Sequence, residues 1–297
     1  MNDARWPNLK TFRPGVIPLG PLQLGEIVSG ALATLRAHAT LLFGAALAVV
    51  AVTQLATLAI TYPMLRELPA IDEDATPEES LAAAAEGLSA AMVAMPLSVL
   101  AQLFVTGIAT VVVGRAVIGE SASFAEAWSE LRPRLVPLLG LTLLVAVLVA
   151  VGTMLFIVPG IWLMVLLSLA APALILERTT IGTALIRSKD LVRNAWWHIF
   201  GILLVTLLFN FGVSVIVSAP FELIGGSGTD STRGEYLVMS TIGSIAAGAV
   251  TAPIAAVVIA LVYIDRRMRT EELAVELARA AGVAPPEAGP AGTPHTW

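Results

Sequence analysis

The chain has no cysteine, which excludes a disulfide, a thiolate nucleophile and a cysteine-ligated metal. Histidine is nearly as scarce, with only His38, His198 and His295. No H-E-x-x-H, G-x-S-x-G or G-x-x-x-x-G-K-[ST] string occurs. Zinc proteases, serine hydrolases and nucleotide-driven transporters therefore lack their required groups. Charge is thin, at 13% of residues, and the central portions of the long apolar runs contain none of it. An ionisable side chain within the membrane usually marks ion coupling or a proton relay. Its absence argues against a proton- or sodium-driven pump.

What the chain has instead is apolar length: 57% of residues are hydrophobic and the mean hydropathy is +0.85. Six runs, at 40–61, 90–118, 134–157, 161–176, 198–219 and 238–264, stand out. Most reach the roughly 20 residues that cross a hydrocarbon core of about 30 Å. The fourth is short, but it follows Pro159-Gly160 and reads as the return arm of a hairpin. With the amino terminus inside, all but Arg66 and Arg233 of the 17 Lys and Arg residues fall on the inner side. This is the sorting that orients membrane proteins, and it favours an even number of helices with both termini cytoplasmic.

The net charge of −5 says little about partners. Much of it comes from Glu67, Asp72, Glu73, Asp74, Glu78, Glu79 and Glu86 in the 62–89 loop, and no nucleic-acid footprint follows. The acids are consistent with an extracytoplasmic loop, and a short helix is expected at 77–88. The first twenty residues lack the apolar core of a cleavable signal, so the first membrane helix is expected to act as its own insertion signal. The resulting organisation is a cytoplasmic segment at 1–21, a six-helix membrane domain at 22–275, and a Pro-, Gly- and Ala-rich tail at 276–297 expected to be disordered.

Three segments preceding odd-numbered spans are amphipathic at helical spacing: 22–37, 123–132 and 181–197. Each is too polar to span and is expected to lie at the interface. Aligned on Gly44, Gly140 and Gly201 of the following spans, all three carry an arginine eight residues earlier: Arg36, Arg132 and Arg193. A small residue stands thirteen earlier: Ala31, Ala127 and Ser188. The fold expected is all-α, with three repeats of an interfacial helix followed by a transmembrane hairpin. Pro96, Pro172 and Pro253 are expected to kink their spans, with Ser98, Ser168 and Thr251 near enough to compensate. Gly243, Ser244, Ala247, Gly248 and Ala252 give the sixth span a small-xxx-small packing face.

Candidate functional residues follow from these placements. Arg36, Arg132, Arg187, Lys189 and Arg193 would attract anionic headgroups at about 1 kcal/mol each near a charged surface; topology anchoring is the alternative reading. Gln54, Gln102 and Asn210 could line a neutral polar pathway, against interhelical hydrogen bonds of about 0.6 kcal/mol each as the plainer account. Glu126 and Glu130 share a helical face and read as an exposed acidic surface. Trp162 near one boundary, with Trp128, Trp196 and Trp197 near the other, suits aromatic belts.

Four strings carry a family resemblance: RPGVIPLGPLQLGEIVSGALATLR at 13–36, VPGIWLMVLLSLAAPALILER at 158–178, IGTALIRSKDLVRNAWW at 181–197 and TAPIAAVVIALVYIDRRMR at 251–269. Together they resemble bacterial, especially actinobacterial, integral membrane proteins related to the membrane domain of glycerophosphoryl diester phosphodiesterase. The resemblance covers roughly 13–275 and implies a bacterial cytoplasmic membrane. In the full enzymes the chemistry belongs to a separate soluble barrel with histidines, carboxylates and a divalent metal. No such motif occurs in this chain, so no catalytic residue is carried over.

The reading that results is a non-enzymatic multi-pass membrane protein without cofactor or metal, serving as a lipid-associated scaffold or accessory protein. Its expected partners are membrane lipids, including anionic phospholipids, and a membrane protein. The alternative is a transporter or flippase-like protein for a lipid or neutral amphiphile, which a cavity lined by Gln54, Gln102 and Asn210 would favour.

Overall fold

A computed structural model describes residues 24–65, 76–226 and 233–271. The segment 1–21, the acidic stretch 66–75 and the tail 276–297 lie outside the described residues. Ten α-helices follow in order: α1 (Leu24–Ala37), α2 (Ala39–Leu65), α3 (Pro77–Val117), α4 (Phe124–Leu131), α5 (Leu135–Leu155), α6 (Ile157–Leu166), α7 (Ala170–Leu176), α8 (Ile181–Arg193), α9 (Trp196–Gly226) and α10 (Arg233–Thr270). No strand occurs among the described residues. Six segments are long and apolar enough to cross a membrane, carried by α2, α3, α4–α5, α6–α7, α9 and α10. The protein is an all-α, multi-pass membrane protein. The helix expected at 77–88 exists as the opening turns of α3, which runs on unbroken for 41 residues.

The spans divide into an inner and an outer set. In α3, α6–α7 and α10 half or more of the apolar window is buried, 56%, 50% and 50%, against 11%, 17% and 11% for α2, α5 and α9. The second helix of each consecutive pair is thus the inner one. At the centre, α10 packs on α9, α2, α3, α1, α7 and α8. Its small residues make this possible. A Cβ on Gly243 would meet the Ser218 backbone of α9 at 3.3 Å, and one on Gly248 would meet Val50 of α2 at 3.0 Å.

The three amphipathic segments are α1, α4 and α8, each immediately before a span. Ala31, Ala127 and Ser188 are all buried, whereas Arg36, Arg132 and Arg193 are exposed. Each arginine falls at or just past the carboxyl end of its helix, where a cation is favoured by the helix dipole. Helix α4 begins with a capping box between Ser123 and Glu126. Glu126 and Glu130 are not merely an exposed acidic face: Arg115 of α3 forks between them, at 3.1 and 2.7 Å, and holds α4 to the end of α3.

The hairpin of α5 and α6 turns at Phe156, whose backbone is extended, three residues before Pro159. Pro159 therefore falls in the first turn of α6, where its missing N–H costs nothing. Gly160 lies against α5 so closely that a Cβ would overlap Thr153. Pro172 likewise occupies the first turn of α7 instead of kinking a continuous helix, because the chain breaks at 167–169. Ser98 and Thr251 donate to the carbonyls of Met95 and Ala247, not to the Met92 and Ala249 carbonyls that Pro96 and Pro253 leave free.

That break is bridged from outside the helix. Ser188 Oγ donates to the Leu166 carbonyl at 2.8 Å and accepts from the Leu169 N–H at 3.2 Å. Helix α8 consequently runs antiparallel along α7 and α6: Arg187 meets Glu177, Ser188 meets Leu166 and Leu169, and Trp196 meets Trp162. The Trp196 indole donates to the Trp162 carbonyl at 3.3 Å. Trp162 therefore does not belong to a belt opposite Trp196; the two are neighbours at the same end.

The close α9–α10 approach gives a direct prediction. Gly243→Leu should lower stability in detergent by about 1–3 kcal/mol through overpacking. Gly201→Ala, whose added methyl meets nothing within 4 Å, should leave thermal unfolding unchanged or slightly raised.

Candidate functional site

Two cavities lie among the spans. The first, ≈ 540 Å³, is lined by α3, α5, α6, α7, α9 and α10 and opens partly to the outside past Met164 and Leu204. Its wall is mainly apolar, with Gln102, Thr106, Thr142, Ser168, Thr206 and Asn210 as polar members. The second, ≈ 330 Å³, lies among α2, α3, α9 and α10 and includes Gln54, Ser98, Ser244 and Thr251. Gln102, Asn210 and Ala255 line both. The structure thus gathers the three amide residues around two adjoining spaces.

The hydroxyls here are already occupied. Thr142, Ser168 and Thr206 donate to Leu138, Val165 and Ile202 carbonyls of their own segments, and Thr106 accepts from Gln102 Nε2 at 3.1 Å. Such local bonds are the ordinary fate of Ser and Thr in apolar helices. Asn210 is different. Its side-chain Oδ1 is buried and is the one such atom without a hydrogen-bond partner among the described residues. Exchanging amide oxygen and nitrogen would put an N–H₂ group at the same buried place, so either assignment leaves an unpaired polar group in a residue that lines both cavities. A buried polar group unpaired in this way costs about 1–3 kcal/mol. Gln102 is about 20 Å along α3 from Arg115, and Asn210 about 21 Å along α9 from Trp196. Both are deep in the apolar layer.

At the basic end a second cluster closes the bundle. Glu177, just past α7, receives two hydrogen bonds of 2.8 Å from Arg187 of α8 and one from the buried Tyr263 hydroxyl of α10. Arg187 also binds Glu271, which accepts from Arg267 at 2.9 Å. Arg266 is nine-tenths buried and donates to the Leu191 carbonyl at 3.0 Å. Arg134 donates to the Ile175 carbonyl. The carboxyl ends of α7 and α10 are thereby tied to the middle of α8 by paired charges.

Among the expected headgroup ligands, Arg187 is thus turned onto protein carboxylates. Arg36, Arg132, Lys189 and Arg193 are exposed. The sequence reading did not anticipate the roles of Glu177, Tyr263 and Glu271. The available signal was Tyr263 itself, a phenol in an apolar run whose hydroxyl requires a partner when buried.

Electrostatics make this clasp sensitive to acid. Burial opposes ionisation of Glu177, but hydrogen bonds from Arg187 and Tyr263, with the charges of Arg187 and Arg267, outweigh it and hold the carboxyl below its usual range. Glu271 is lowered in the same way, burial being outweighed by Arg187 and Arg267. Hydrogen bonds from Glu177 and Glu271 push Arg187 up. Carboxylates with lowered folded values contribute fully above the ordinary glutamate pKa of about 4.3 and lose that contribution as pH falls through the folded values. Unfolding temperature in detergent should therefore be flat from neutral pH to about 5 and fall below about 4. Glu177→Gln should lower stability at neutral pH by about 1–3 kcal/mol and reduce the acid-side fall.

Against known proteins, the profile of an uncharacterised protein family (UPF0259) matches residues 33–224. No curated protein and no solved structure matches the chain. The matched stretch runs from the end of α1 to near the end of α9 and takes in the α5–α8 assembly. The chain belongs to the uncharacterised family UPF0259.

Proposed function

We propose that this protein binds an amphiphile with an uncharged, hydrogen-bonding headgroup inside the membrane and carries it between leaflets. The observation that carries the reading is Asn210: a residue with an orphaned amide oxygen, lining both a mainly apolar cavity and the more polar one beside it. A volume of ≈ 540 Å³ suits a small-molecule site, which is typically about 300–1,000 Å³, largely apolar and fitted with a few convergent polar groups. The first cavity would hold apolar chain, and Gln102 and Asn210 would supply donors and an acceptor to the headgroup. The transporter-like reading is thus preferred to the lipid-associated scaffold, whose support is the exposed set Arg36, Arg132, Lys189 and Arg193. Either role is non-enzymatic.

Placement in a bacterial cytoplasmic membrane, with both termini inside, remains our reading from the charge sorting and the family resemblance. The alternation of inner and outer spans supports a three-fold repeat, as does the burial of Ala31, Ala127 and Ser188. Kinship with the membrane domain of glycerophosphoryl diester phosphodiesterases is proposed for the membrane scaffold alone.

The test is transbilayer movement of a fluorescent monoacylglycerol in liposomes, read by an impermeant quencher. The intact protein should accelerate movement over protein-free vesicles. Asn210→Leu, which removes the amide and fills the space, should slow it at least about tenfold, equivalent to about 1.4 kcal/mol. Movement at the protein-free rate with correctly folded protein would contradict the proposal.

A further inference from the structure

A third cavity, ≈ 700 Å³, lies outside the intramembrane pair, where α6 meets the corner between α8 and α9. One wall is Val158, Ile161 and Trp162; the other is Arg193, Asn194, Ala195, Trp196, Trp197 and His198. Its apolar lining is open: Val158 is 76% and Trp197 78% exposed. Trp196 is fixed by its bond to the Trp162 carbonyl and by stacking on Phe200, with ring centroids 5.1 Å apart. It also meets Trp197 edge-on at 4.7 Å. The indoles form a braced platform, because stacked and edge-to-face rings constrain one another.

The charge that lines the cavity is that of Arg193, with Lys189 and Asp190 both exposed about one helical turn before it on α8. Arg193 is exposed and has no ion pair among the described residues. No carboxylate lines the cavity. A guanidinium offers a planar fork of donors suited to a phosphate. Indoles are favoured where one end of a ligand is apolar and the other wet. A cation at one edge, an amide and imidazole beside it, and an open aromatic and aliphatic floor make an amphipathic recess.

We infer that this corner is a binding site for an anionic phospholipid, with its phosphate at Arg193 and an acyl chain along Val158, Ile161, Trp162 and Trp197. Charge complementarity selects the occupant: a zwitterionic lipid brings its own cation to Arg193, whereas a phosphatidylglycerol-like headgroup does not. The site deepens the lipid-associated reading of the basic face and is independent of the Asn210 cavity. It differs from a general basic collar by having an apolar floor beside one of the repeated arginines.

The test uses the full chain in nanodiscs of phosphatidylcholine containing a minor fraction of phosphatidylglycerol, with retained lipid counted by native mass spectrometry. Wild type should keep phosphatidylglycerol over phosphatidylcholine. Arg193→Gln and Trp197→Ala should each reduce that retention about tenfold or more, while Arg132→Gln changes it less than twofold. The Arg193 side chain is exposed, so thermal unfolding of Arg193→Gln should match wild type. Trp197→Ala also gives up edge contacts with Trp196 and Phe200 and should unfold slightly earlier. Inorganic phosphate and glycerol 3-phosphate should not displace the lipid, because they leave the apolar floor uncovered. Equal loss in Arg193→Gln and Arg132→Gln would overturn the site in favour of a diffuse basic surface. So would equal retention of both lipids, or displacement by inorganic phosphate. Lipid selectivity can fail here while Asn210-dependent movement survives, and the reverse, so the two readings are tested separately.

Discussion

One hydroxyl carries an unusual share of this architecture. The fourth apolar segment breaks at 167–169, and a helix broken among buried residues, Leu166, Leu167 and Leu169, leaves backbone groups that water cannot reach. Ser188 Oγ answers both sides of the break, donating to the Leu166 carbonyl and accepting from the Leu169 N–H. Ser188 is fully buried, so no water substitutes for it. A serine in α8 can do this only if α8 lies along α6 and α7. The remaining contacts of the basic end, Arg187 with Glu177 and Trp196 with Trp162, follow in that register.

Function is organised around the same arrangement. The α5–α7 assembly forms one wall of the ≈ 540 Å³ cavity, while the outer edge of α6 forms a wall of the recess at Arg193. No charged side chain lines the two cavities among the spans, among the described residues, and the hydroxyls of Thr142, Ser168, Thr206 and Thr251 are spent on their own backbones. In the proposed reading, recognition there falls to the amides, Gln102 and Asn210. Ionised groups are collected at one end, where Glu177 and Glu271 neutralise Arg187 and Arg267 and leave Arg36, Arg132, Lys189 and Arg193 facing outward. Helix α8 thus contributes both to the outward basic surface, through Arg193, and to the tied bundle end, through Arg187.

Much of this was legible in the sequence because hydrocarbon imposes strong rules. Span lengths, the positions of α1, α4 and α8, and the packing face of α10 all follow from apolar length, helical periodicity and small residues. Gln54, Gln102 and Asn210 stood out as amides in apolar helices, which have few places to point except toward one another. Long-range pairing was less legible: Arg187 and Glu271 are 84 residues apart, and nothing local marks either as the other's partner. Glu126 and Glu130 looked like an exposed face because Arg115 belongs to the preceding span. Trp162 was assigned to the wrong boundary for a related reason. Hairpin logic sends it away from the basic end, and only the Ser188 contacts reveal that α8 travels with it.

Those contacts have a consequence for depth. Lys189, Asp190 and Arg193 are exposed on α8, and charged side chains are costly in hydrocarbon. A helix bearing them is expected at the headgroups, and the contacts along α8 predict that α6 inclines toward the same face. Because the chain lacks cysteine, single probes can be placed without background. The decisive measurement is the depth and sidedness of a probe on Val158→Cys, compared with one on Lys189→Cys, using a membrane-impermeant quencher added to one side of oriented vesicles. The account predicts quenching of both from the same side, with position 158 at headgroup depth. Quenching of position 158 only from the side opposite position 189 would contradict it.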